Sequence, residues 1–446
     1  MRPGINVPAG DLCLGGVAPA HCGAHRLRHP AGNNGRPVHL AITGGAAERA
    51  AMRTSGSFHC AVRVGVARWG KALNIHLYEF EFDLLGWGLW PEREDLSIEL
   101  LRLLGAAQAG GSTIAECRVT AGRIDPSDDK SWYREWKSIA DANCERGNAA
   151  LREGHVLTAK SNWLRAINYY QSAAFPFDRN DGHCWAAIGS MRQCARDYLE
   201  YCDPRGEVLL IPWPGGYPLE AYFLPSAETA RPSPAIICMG EPGQRKEEYL
   251  HKVARYARER GMSLLAVDLL GAGTDSPFDQ IVGCSELETT IGYIMDYLVE
   301  REDVDSSRIA ILADGWGSSF VARGIAFDDR FAAAVCDGGI WDLHERAFLA
   351  RRAPSRAEFP RPDLDLGRVA PNIKCPVLIT TGECGWLKAE RVREFYRQLT
   401  AGGRDVTLKI FAVSETAAMQ AHVDNPTLAN EYIFDWIASR LGISGR

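Results

Sequence analysis

Residues Arg308 to Ser319, RIAILADGWGSS, set an apolar run against a turn of small residues and then the start of a helix. A strand that enters such a sharp turn and leaves it as a helix holds one strained residue at the tip, its side chain clear of the sheet. A serine in that place attacks carbonyl carbon once a histidine takes its proton and a carboxylate orients the imidazole. A turn this tight needs small residues two before and two after the tip. With Gly315 as the tip those residues are Ala313 and Gly317; with Ser318 they are Trp316 and Phe320; with Ser319 they are Gly317 and the β-branched Val321. The spacing therefore predicts Gly315 as the tip, where no side chain can attack. Three groups nearby could do acid–base work: Asp314 beside the tip, Asp337 after a later apolar run, and His422 in AAMQAHVDN. Each has an ordinary structural alternative, since carboxylates at strand ends cap turns and helices, and a lone histidine is commonly structural or exposed. A base with no neighbouring hydroxyl has no nucleophile to activate.

The elements that must carry this turn are legible as a change of rhythm. From about Leu73 to Asp203 apolar residues recur every three or four positions, as in LSIELLRLLGAA (Leu96 to Ala107) and NWLRAINYYQSAAF (Asn162 to Phe175). That period predicts helices. DPSDDKSWYREW (Asp125 to Trp136) adds helix-start residues and then two tryptophans four apart, which share one helix face. From Gly206 onward short apolar runs alternate with amphipathic stretches: EVLLIPW, LEAYFL, PAIICMG, MSLLAVD, RIAILA, FAAAVCDG, PVLITTGE and VTLKIFA read as eight strands. Helices are predicted over Lys246 to Arg260, Glu286 to Arg301, Gly317 to Phe327, Lys388 to Thr400 and Leu428 to Leu441. This is the pattern of a doubly wound, mostly parallel α/β sheet. The Arg- and Pro-rich stretch His344 to Asn372 reads as an excursion over the sheet edge.

Composition excludes several functions. Of 446 residues, 46% are hydrophobic and 24% charged, the balance of a globular protein, and the net charge of -6 without a basic run argues against a nucleic-acid partner. No apolar run is long enough for a membrane span. Thirteen cysteines occur with no C-x-x-C pair, which predicts small buried hydrophobes in a reducing cytoplasm. Residues 1–60, rich in Gly, Ala, Pro, His and Arg, lack periodicity and are expected to be disordered or non-native, with translation beginning at Met1 or Met52. His21, His25, His29 and His39 fit no ligand spacing, so no metal and no cofactor are expected.

Several runs together resemble one branch of the α/β-hydrolases, that of the fermentation-respiration switch proteins, dihydroxypseudooxynicotine hydrolase and the fungal pigment-pathway polyketide-shortening hydrolases. The runs are GGSTIAECRVTAGRID, SWYREW, NWLRAINYYQSAAFPFD, GEPGQRKEE, DLLGAGTDS, the turn at Gly315, KCPVLITTGE and LANEYIFDW. The resemblance implies an α/β-hydrolase fold over residues 206–442 with an N-terminal helical cap and dimerisation domain over 70–203, a homodimer, and a small carbonyl compound as substrate or ligand. Carried across position by position, the family's serine falls on Gly315, its acid on Gly385 in GECGW, and its histidine on Gln420. The backbone donors of its oxyanion hole fall on Trp316 and on Glu241 in the loop Gly240 to Gly243. Three readings result: a binder or regulator without the triad; a carbon–carbon lyase, decarboxylase or cyclase using the pocket differently; and a hydrolase with its nucleophile relocated to Ser318 or Ser319.

Overall fold

Apolar runs of five to eleven residues separated by helices leave the carboxyl-terminal half only one economical arrangement, a sheet buried on both faces. The computed structural model describes residues 88–178, 181–212, 218–227, 232–240, 244–268, 287–315, 317–340 and 369–443. The N-terminal extension, the DLLGAGTDS run and most of the His344 to Asn372 stretch lie outside the described residues.

The strands are β1 (Glu207–Ile211), β2 (Leu219–Leu224), β3 (Ser233–Met239), β4 (Ser263–Val267), β5 (Val304–Asp314), β6 (Ala333–Asp337), β7 (Val377–Gly382) and β8 (Val406–Phe411). They form one eight-stranded sheet in the order β1-β2-β4-β3-β5-β6-β7-β8. Only the β1/β2 and β2/β4 pairs are antiparallel; every other described pair is parallel. All eight expected strands are present. The central β3, β4, β6 and β7 are buried along their whole length, as strands covered on both faces must be. At the edge, β1 leaves Val208 and Leu210 exposed.

Ahead of the sheet come α1 (Glu94–Gly105), α2 (Ile114–Ala121), α3 (Asp129–Arg152), α4 (Val156–Ala174) and α5 (Gly182–Glu200). Asp128 caps α3 by accepting from Lys130 N, which supplies a donor otherwise orphaned at a helix start. Trp132 and Trp136 do share a face, with ring centroids 5.6 Å apart and no exposure, and they belong to the core. That core runs without a break from these helices to Tyr222, Ile236 and Cys238 on one face of the sheet. Among the described residues no disulfide forms, and Cys117, Cys194, Cys238 and Cys336 are buried.

Between β3 and β4 the expected single helix Lys246 to Arg260 is two, α6 (Lys246–Lys252) and α7 (Ala254–Glu259). Val253 leaves helical geometry at φ -130°, ψ -18°, and the Lys252 carbonyl accepts from Asn430 Nδ2 at 3.2 Å. A side chain from a distant helix thus meets a carbonyl at the break, a partner that local periodicity cannot reveal. The remaining helices are α8 (Leu287–Val299), α9 (Gly317–Phe327), α10 (Ala389–Ala401) and α11 (Pro426–Arg440), each within two residues of its expected span.

The small-residue requirement around the tip has a direct physical cause. A Cβ added at Gly317 would lie 2.7 Å from Gly240 O and 3.2 Å from the Ala313 Cβ. A Gly317→Ala variant should lose about 1–3 kcal/mol by overpacking against backbone that cannot yield. A lowered thermal unfolding midpoint checks this, and an unchanged one would mean the turn is looser than its geometry.

Candidate functional site

β5 delivers the chain to its tip at the sheet's carboxyl end, and α9 carries it away. Gly315 occupies the turn with φ +54°, a left-handed conformation that glycine adopts without strain. It lies on the floor of a cavity of about 300 Å3 whose other walls come from α1, α4, α6 and the segment leading into α11.

The positions carried over by resemblance meet here. A Cβ built on Gly338 would lie 3.2 Å from Gly315 N and 3.8 Å from Gln420 Nε2, and one built on Gly385 would lie 3.6 Å from Gln420 Oε1. Gln420 Oε1 accepts from Trp386 N at 2.9 Å. Gly315 and Gln420 both line the cavity, and Gly385 sits behind the glutamine amide. An amide has no accessible pKa near neutrality and cannot serve as a base. Trp316 and Glu241, the expected backbone donors, lie outside the described residues.

The three acid–base candidates separate. Asp314 lines the cavity, where Tyr249 donates to its Oδ1 at 3.1 Å, Gln244 Nε2 donates to its Oδ2 at 2.9 Å, and Lys252 Nζ forms an ion pair with it. Asp337 and His422 instead pair with each other below the cavity wall: His422 Nε2 is 2.8 Å from Asp337 Oδ1, and His422 Nδ1 is 2.6 Å from Ala417 O. A carboxylate and a carbonyl both only accept, so both ring nitrogens carry protons and the imidazole is cationic. Burial opposes that charge, but Asp337, together with the Ala417 carbonyl, raises the His422 pKa above its ordinary value. For Asp337, burial pushes up and His422, Thr380 and Lys252 pull further down, leaving the carboxyl below its ordinary value. Thr380 Oγ1 donates to Asp337 at 2.7 Å. With both nitrogens engaged, His422 presents no lone pair to the cavity. Ser318, unexposed, directs its hydroxyl at the carbonyls of Ala313 and Asp337, 3.0 and 2.9 Å away; neither it nor Ser319 lines the cavity.

Sequence reasoning missed the groups on α6 and α4. The run KEEYLHK has the composition of a solvated helix, yet Lys246, Glu247, Glu248 and His251 are all buried. Lys246 Nζ meets Asp268, Glu220 and Glu247 within 3.2 Å. On the cavity side, Glu248 faces Lys252 at 3.7 Å and accepts from Gln171 Nε2 at 2.7 Å, while Glu99 pairs with Arg102 at 2.7 Å. Burial would raise the Glu248 carboxyl, but Lys252 and Arg102 hold it down at about 2. The one early pointer was the GEPGQRKEE run, which marked the start of α6 without distinguishing buried charge from exposed.

Among the described residues no helix is long and apolar enough to cross a membrane, and no group of His, Cys, Asp and Glu is placed to hold a metal ion.

A family model described as Esterase FrsA-like matches residues 128–354. The hydrolyase poxO of Penicillium oxalicum is 29% identical over 261 residues, 56% of this chain and 62% of that protein. The 20-hydroxy-prefusarin hydrolase FUS2 of Gibberella moniliformis is 27% identical over 265 residues, 56% of this chain and 61% of that protein. The chain thus spans about three fifths of the length of these curated relatives. The crystal structure of 2,6-dihydroxy-pseudo-oxynicotine hydrolase superposes with a TM-score of 0.64 at 18% identity, covering 76% of this chain and 95% of that one, which shows a shared α/β-hydrolase fold.

Proposed function

The chain belongs to the FrsA-like esterase family, and from that premise we propose that it binds or transforms a small carbonyl compound in the cavity above Gly315 without a Ser–His–Asp triad. One observation carries the reading: the tip of the turn is a glycine at φ +54°, facing a cavity with a glutamine where a general base would stand. Loss of the nucleophile removes the use of a base and its orienting acid, so Gly315, Gln420 and Gly385 make sense together. The carbonyl class is supported by the hydrolase names of the curated relatives.

The decisive screen is thermal shift against aromatic ketones, β-diketones and 2-oxo acids. A ligand bound only by the folded chain adds about 2.7 kcal/mol at a hundred times its Kd, so at least one class should raise the unfolding midpoint in proportion to the logarithm of its concentration. No shift from any class would remove the proposal.

A second reading, a lyase, decarboxylase or cyclase working by electrostatics, is favoured by one further observation. The cavity holds ionised groups, Asp314, Lys252 and Glu248, fixed in a largely buried setting where charge acts strongly on a bound carbonyl. Conversion of a bound ketone that survives Asp314→Asn unchanged would count against it.

A further inference from the structure

Cys144 on α3 and Cys194 on α5 meet within the helices that precede the sheet. The fully buried Cys194 thiol donates a hydrogen bond to the Cys144 sulfur, and Asn148 Nδ2, one turn further along α3, points at that same sulfur from 3.8 Å. Both cysteines are free thiols. Their access to solvent differs: Cys144 is only partly buried, whereas Cys194 lies behind it in the core. An accessible thiol backed by a second one is the arrangement that lets a cysteine be oxidised and then resolved into a disulfide.

The surroundings divide the two roles. A thiolate attacks and a thiol does not. The hydrogen bond from Cys194, helped by Asn148, brings the Cys144 pKa down to about 7 against the opposing effects of burial, Asp197 and Asp141. The same hydrogen bond, and then burial, push the Cys194 thiol up, so Cys194 keeps its proton. On the α4 side stands Tyr170, whose hydroxyl donates to Asp141 at 2.7 Å and is held neutral by burial and that carboxylate. Cys117 and Cys375, by contrast, are pushed up by burial to about 11 and about 12. Near neutral pH Cys144 is thus largely ionised where those two are not.

We propose that Cys144 and Cys194 are a peroxide-sensitive dithiol whose disulfide ties α3 to α5. The Cys144 thiolate attacks one oxygen of hydrogen peroxide, becomes a sulfenic acid and releases hydroxide. The Cys194 sulfur then attacks the Cys144 sulfur, and the S–S bond forms as the Cys194 proton and the sulfenic hydroxyl leave as water. The peroxide takes two electrons and the two sulfurs lose them. Closure brings the sulfurs from hydrogen-bond contact to about 2.05 Å. α4 packs against both bridged helices and carries Gln171 and Phe175 into the cavity wall, so the bridge fastens the helices that hold that wall.

The test treats the reduced, folded full chain with hydrogen peroxide, then blocks remaining thiols and maps peptides without reduction. The expected product has lost about 2 Da, joins the Cys144 and Cys194 peptides, reverts with dithiothreitol and unfolds at higher urea than the reduced chain. Its rate of formation should rise with pH to a half-point near 7, the Cys144 value, rather than near the ordinary thiol value of about 8.5. Cys194→Ser should stop at a Cys144 sulfenic acid that dimedone captures, and Cys144→Ser should give neither product. If a variant does not fold, the peptide map and pH profile of the unaltered chain still decide. A bridge that forms only in urea, bridges from Cys144 or Cys194 to other cysteines instead, or a half-point near 8.5 overturns the proposal.

Discussion

Purified protein given p-nitrophenyl butyrate should show no saturable turnover, falling about a million-fold short of a triad hydrolase in turnover number. Restoring one member should not help. In a serine protease that has been dissected in this way, removal of the serine or of the histidine alone costs about as much as removal of all three triad residues, so a single group added back recovers almost nothing. Gly315→Ser alone is therefore expected to stay silent. It also carries a strain of about 1–3 kcal/mol, because the tip is at φ +54°. The triple variant Gly315→Ser/Gln420→His/Gly385→Asp begins within reach of a working arrangement. The Gln420 side chain already lies 3.6 Å from where a Cβ at position 385 would stand, and Gly315 N and Gln420 Nε2 both lie within 3.8 Å of a Cβ built on Gly338. The new aspartate must displace its surroundings slightly, since its Cβ would stand 3.1 Å from Gly382 O and 3.2 Å from Thr381 Oγ1. A burst of p-nitrophenol equal to the enzyme concentration in the triple variant, and in neither the parent nor the single variant, is the expected result. Saturable ester turnover by the unaltered chain that vanishes in the cavity-filling Ala106→Trp variant would sink the reading.

The strand-and-helix order and the small residues flanking Gly315 could be read from the sequence because each depends on local pattern, whereas Gly385 and Gln420 were set beside Gly315 only by the family resemblance. Parallel strands buried on both faces must be short apolar runs, and PAIICMG, MSLLAVD and FAAAVCDG are. The turn accepts only small neighbours, so its frame was fixed by exclusion. Burial of charge was not legible in the same way. Hydropathy scores a side chain alone, so nothing in the run sets Glu248, His251 and Lys252 in a cavity wall, a placement that depends on partners on α1, α4 and β5 distant in sequence. His422 stayed open between a substitute base and a structural histidine for a related reason. Its position two residues after Gln420 suggested a substitute base, but Ala421 and His422 both adopt positive φ, at 51° and 55°. That backbone aims the imidazole at Asp337.

The His422–Asp337 pair should therefore matter to stability, and its removal should invert the protein's response to pH. Asp337→Asn leaves a buried imidazole without its counter-ion, a change that costs about 3–5 kcal/mol when a buried pair is broken on one side. The sign of the pH dependence follows from the two shifts. The His422 pKa is raised on folding, so its contribution is complete below about pH 6.5 and is lost as pH rises through the folded value. Asp337 is depressed, so its contribution is present above about pH 4 and is lost as pH falls through its lowered value. Between those limits the pair stabilises most, and above about pH 6.5 the parent should lose this contribution step by step. In Asp337→Asn, burial is opposed only by the Ala417 carbonyl and the weaker pull of Asp424, and Lys252, which lowers Asp337, would now repel the imidazolium. His422 then folds neutral, and the variant's stability should rise with pH through the same interval. Urea unfolding of both proteins at half-unit steps from pH 5.5 to 8.5 measures the difference directly. A stability gap that narrows as pH rises is the expected result. A gap that is constant across the interval would show that the imidazole does not change its charge there, and a gap below about 1 kcal/mol would show that the pair does not hold the loop after β8 to the end of β6.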